Sequence, residues 1–166
     1  MRNKTIRLTQ LAIAVTFAIV LSFIESQIPA FVAIPGVKVG LANIAVIFML
    51  YKFGVKEAIV VSLVRIILIS ILFGQAVSFF YSISGAVLSF TVMLLIKKLT
   101  PLSEVVVSVV GGIMHNVGQI IAASILLETN VVVYYLPFLL VSGTVAGIVV
   151  GVVSAILIKK IKIEKI

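Results

Sequence analysis

Ten side chains in this sequence carry chemistry that suits a ligand: Glu25, Lys38, Asn43, Arg65, Gln75, Tyr81, Ser84, His115, Asn116 and Gln119. They interrupt a chain that is otherwise strongly apolar. His115 is the only histidine, set in the string Met114-His115-Asn116-Val117-Gly118-Gln119 within an apolar run. Hydrocarbon supplies no water to such groups, so they should face a protein interior or a cavity. On a helix, His115 and Gln119 are four residues apart and Asn116 and Gln119 three, so the three share one broad face, the expected wall of a pocket. An arginine at the depth of Arg65 costs roughly 2.5–3.5 kcal/mol on insertion scales, which turns it toward a partner, an anion or water. Arg65 would grip a carboxylate or phosphate with two parallel hydrogen bonds, Lys38 would act as a point charge, and the amides would orient the rest.

Five of these residues also have a purely structural reading. Arg65 would pair with Glu25 or with helix carbonyls, His115 would pack as a satisfied core residue, Asn116 and Gln119 would tie helices together, and Tyr81 would belong to an interfacial aromatic belt.

Composition limits the elements that can position these groups. Of 166 residues, 63% are hydrophobic and 11% charged, with a mean hydropathy of +1.39, which implies a multi-pass membrane protein rather than a soluble core. The chain has no cysteine, which excludes disulfides and thiolate sites, and no aspartate. Its five glutamates, Glu25, Glu57, Glu104, Glu128 and Glu164, form no cluster in sequence of the kind that holds a diphosphate through magnesium. One histidine makes no metal site and no serine has a triad around it, so neither a metal, a cofactor nor catalysis is expected.

The apolar runs divide into six expected transmembrane helices, about 8–26, 37–51, 55–73, 77–96, 102–127 and 134–158, all in one α-helical domain. The first continues past the length of a secretory signal, so a retained helix is expected. Between the first two, residues 27–36 carry Pro29 and Pro35 around an apolar centre and form an expected lid. Gly143, Gly147 and Gly151 mark a close-packing stripe on the sixth helix, and Ala14 and Ala18 a small-xxx-small pair on the first. The net charge of +8 lies in short runs rather than in a nucleic-acid patch. Eleven basic residues fall on the side of the N-terminus and only Lys38 in the opposite loops, which predicts both ends in the cytoplasm. With that orientation the polar groups gather in the outer half of the membrane, as in a cavity open to the outside and closed below. Its charge suits an anionic ligand. An ion-coupled carrier using Glu25 and His115 is the competing chemistry, though no inverted repeat supports it.

Four strings, Arg7-Leu8-Thr9-Gln10-Leu11-Ala12, Ile34-Pro35-Gly36-Val37-Lys38-Val39-Gly40-Leu41-Ala42-Asn43, Arg65 with Leu72-Phe73-Gly74, and His115-Asn116-Val117-Gly118-Gln119, resemble the bacterial family named heptaprenyl diphosphate synthase component I, also called the Gx transporter family. That family looks like the substrate-binding S components of energy-coupling factor (ECF) transporters. The resemblance implies a six-helix S-component-like bundle in the bacterial cell membrane that captures a vitamin-like or isoprenoid-related solute from outside. It implies docking through Ala14 and Ala18 onto a membrane coupling (T) protein driven by two ABC ATPases, the chain itself having no Walker motif. The family name implies instead a noncatalytic membrane subunit partnered by a soluble prenyl synthase.

Overall fold

The computed structural model describes residues 2–27, 40–73 and 76–161. Lys38 and Gln75, and nearly all of the expected lid, lie outside the described residues. The described chain is all-helical: α1 (Arg2–Gln27), α2 (Asn43–Lys52), α3 (Val55–Phe73), α4 (Ala76–Leu99), α5 (Glu104–Leu126) and α6 (Leu136–Lys160), with a short 3₁₀ turn at Val131–Tyr135. Four stretches are long and apolar enough to cross a membrane: Lys4–Gln27, Val77–Leu99, Glu104–Leu126 and Val131–Lys160. α3 has the length, with 19 residues, but carries Lys56, Glu57 and Arg65. Exposed apolar side chains such as Ile13, Phe17, Ile71, Val87, Ile125 and Val141 cover the outside, the surface a lipid solvent accepts.

Local chemistry explains where the boundaries depart from the sequence expectation. α5 starts at Glu104 rather than Leu102, because Ser103 is the N-cap and its hydroxyl accepts from the Val106 N–H. α6 starts at Leu136, with Pro137 in its first turn where the missing N–H costs nothing, so Tyr134 belongs to the preceding 3₁₀ turn. α2 starts only at Asn43, after a turn at Gly40 with φ +91°, and ends at Lys52, closed off by Gly54, φ +127°, whose N–H donates to the Met49 carbonyl at 2.9 Å.

The helices pack as a ring in the order α2, α3, α4, α5, α6 and back to α2, with α1 laid against α2 and α3. Consecutive helices from α2 to α6 run antiparallel, so α6 and α2, which close the ring of five, run parallel. Gly143, Gly147 and Gly151 of α6 meet Gly112, Val109 and Val105 of α5, so rising numbers on one helix oppose falling numbers on the other. A Cβ on Gly147 would lie 2.6 Å from the Val109 Cα, so only glycine permits this approach. The Ser108 hydroxyl donates to the Gly147 carbonyl at 2.8 Å across the same seam.

The antiparallel order brings one end of every helix to a basic face. There Arg7 pairs with Glu57, and Lys97 donates to the Leu50 carbonyl at 2.7 Å while lying 4.2 Å from the centre of the Tyr51 ring. α2 rises from this face by only 10 residues, about 15 Å, half of a hydrocarbon core of about 30 Å. Its start is level with the lower part of α5, since Asn43 borders the same cleft as Ser108 and Gly112. Above α2 the ring interior is bounded by the other helices.

Candidate functional site

The polar groups of this upper interior come from three helices and one turn. Glu25, near the top of α1, is buried, and its Oε1 accepts the backbone N–H of Gly40. That bond ties the end of α1 to the turn that begins α2. Arg65, near the middle of α3, is 8% exposed and lies within electrostatic reach of both Glu25 and His115. α3 and α5 are not neighbours in the ring, so Arg65 and His115 address each other across its interior.

His115 owes its place to a glycine on the facing helix. A Cβ on Gly85 of α4 would stand 2.9 Å from the His115 Cε1 and 2.8 Å from its carbonyl oxygen, so the imidazole fits only over a bare backbone. One turn higher Gly118 does the same in reverse, lying against the Ser84 carbonyl and the Gly85 Cα. The Ser84 hydroxyl donates to the Gly118 carbonyl at 2.8 Å and closes the seam. Gly85 and Gly118 carry no side chain to attract attention in the sequence. Small residues opposite the one histidine were the available signal.

The face drawn through His115, Asn116 and Gln119 is divided by the structure. Asn116 turns to α6, where its Nδ2 donates to the Leu139 carbonyl at 2.6 Å beside Gly143. His115 and Gln119 remain together on the other side. Both are buried, Gln119 with no accessible surface, and both amide atoms of Gln119 and the Arg65 Nε have no hydrogen-bond partner among the described residues. Unmatched buried groups of this kind cost about 1–3 kcal/mol each.

The remaining expected residues stand at the periphery of this group. Tyr81 is buried among Ile120, Ala123, Val132 and Leu139, in the apolar packing between α4, α5 and α6. Ser84 is engaged by α5. Asn43 stands lower, at the start of α2, and lines a small cleft with Ser89, Met93, Ser108 and Gly111. Ala18, expected on an outward docking face, has no accessible surface and packs on Ala45, Met49, Ala58 and Val61; Ala14 is half-buried against the same cluster. The close approach that small residues allow is used here within the chain, by α2 and α3. No group of three metal-ligating side chains occurs among the described residues.

A family model described as heptaprenyl diphosphate synthase component I matches residues 14–157. The chain belongs to this family. The match runs from Ala14 on α1 to Leu157 on α6 and takes in every residue of the site. Neither curated proteins nor solved structures include a match to the chain.

Proposed function

We propose that this component I family member is a noncatalytic, substrate-binding membrane protein that encloses a small anionic solute between α1, α3 and α5. The observation that carries the reading is the set of buried polar atoms on Arg65 and Gln119 that have no partner among the described residues. A structural arginine or glutamine in an apolar bundle is stabilised by its partners, and these side chains have atoms left open. Arg65 supplies the cationic end of the site. Glu25 is oriented by the Gly40 N–H and holds Arg65 toward the interior, so the guanidinium meets an entering anion without first reorganising.

The topology that fits is six membrane helices with both ends cytoplasmic. Charge supports this: the face carrying Arg7, Lys52, Lys97, Lys98 and Lys160 is the cytoplasmic one by the positive-inside rule. The site then opens toward the outside, as in the S components of ECF importers, and the solute would pass to a coupling protein driven by two ATPases. The family match favours a second reading, a membrane subunit that holds an isoprenoid diphosphate for a soluble prenyl synthase.

Tagged protein purified from its native host in mild detergent tests both. Arg65-dependent retention of an anionic small molecule is the expected result, and identical retention by Arg65→Ala would refute the site. Copurification of a coupling protein with paired ATPases selects the importer; copurification of an Asp-rich prenyl synthase selects the synthase subunit.

A further inference from the structure

We infer that the bound compound presents an amide or imide edge, a carbonyl beside an N–H, to the carboxamide of Gln119. This rests on the binding-site reading above and narrows the ligand class. Gln119 is one turn above His115 on α5, and the Cα–Cβ bond of a helical residue leans toward the helix N-terminus, so its side chain leans toward His115 and the Arg65 side of the ring. It has no accessible surface, and its Nε2 donor and Oε1 acceptor are both without partners among the described residues.

The contrast with Asn116 is informative. That amide joins helices and spends its donor on the Leu139 carbonyl. Gln119 spends nothing. A carboxamide is satisfied by a group that returns one donor and one acceptor side by side, as an amide or imide does with two parallel hydrogen bonds. A phosphate, diphosphate or carboxylate offers acceptors alone, which would answer Nε2 and leave Oε1 facing another oxygen. An isoprenoid chain would answer neither atom. The structure therefore assigns two recognition elements to the compound: an anion at Arg65 and a donor–acceptor edge at Gln119.

Three probes test this with the full chain in lipid nanodiscs: orotate, a carboxylate on a ring with an imide edge; benzoate, a carboxylate on a ring without one; and farnesyl diphosphate. The wild type should bind orotate at least about tenfold more tightly than benzoate, since a site built for a hydrogen-bonded edge rejects the analogue that lacks it. Gln119→Leu should reduce that preference below about twofold, and Gln119→Glu, which removes the donor, should lose it as well. Unliganded Gln119→Leu should melt at or above the wild-type temperature, because it deletes an unmatched amide; a lower melting temperature would show that the amide has a structural partner and would overturn the inference. Equal binding of orotate and benzoate, or a preference that survives in Gln119→Leu, overturns it too. Tighter, Arg65-dependent binding of farnesyl diphosphate would overturn it while leaving the anion site standing. No binding of any probe, or binding indifferent to Arg65→Ala, would refute the site itself.

Discussion

Gly118→Ala tests whether the seam between α4 and α5 positions the site. The added methyl would lie 2.7 Å from the Ser84 carbonyl oxygen and 2.8 Å from the Gly85 Cα, about 0.7 Å short of the 3.4 Å at which ordinary contact begins. Both obstacles are backbone, so no side-chain rotation relieves them and α5 must recede from α4. Overpacking of this size costs about 1–3 kcal/mol. The recession also stretches the Ser84–Gly118 hydrogen bond from 2.8 Å to its limit, a loss of about 0.6 kcal/mol on the scale of membrane-helix bonds. Replacing glycine by alanine in a helix returns up to about 1 kcal/mol. The expected net destabilisation is about 0.5–3.5 kcal/mol, read as unfolding in mixed detergent–SDS micelles. Because His115 rides on the same seam, binding of the retained solute should weaken as well. Ser84→Ala supplies the internal check: it should cost about 0.6 kcal/mol in the wild type and almost nothing in Gly118→Ala, where the bond is already lost. A Gly118→Ala protein as stable as the wild type, or a Ser84→Ala cost that is the same in both backgrounds, would show that the two helices do not meet at this point.

Two further outcomes follow from the packing. Ala18→Leu should destabilise the isolated protein by about 1–3 kcal/mol, because Ala18 is enclosed by Ala45, Met49, Ala58 and Val61, whereas Phe17→Ala on the exposed side of α1 should change stability by less than about 0.5 kcal/mol; equal effects of the two would contradict the inward face of Ala18. Since the chain has no cysteine, Thr129→Cys between α5 and the 3₁₀ turn should react with a membrane-impermeant maleimide in intact cells, and Thr100→Cys between α4 and α5 only after permeabilisation. Labelling with the opposite pattern would invert the orientation.

The sequence alone was enough for the helical elements and their order, because runs of apolar residues this long have no soluble alternative and their helices satisfy every backbone group internally. It was also enough for the stripe Gly143, Gly147 and Gly151, whose spacing of four can only line up on one helix face, and for the presence of Arg65 and His115 as groups out of place in hydrocarbon. Tertiary structure decided how these groups are shared. α5 is held between α4 and α6, so a rotation of one residue sends Asn116 to the Leu139 carbonyl while His115 and Gln119 stay on the other side of the helix. Ala18 reads identically whether it meets a partner or its own neighbours, and only the placement of α2 and α3 turns it inward. The reason is common to both cases. In a membrane the exterior is as apolar as the core, so hydrophobicity reports that a residue lies within the bilayer but not which way it faces, and that direction is set by the close contacts that glycine, alanine and serine allow.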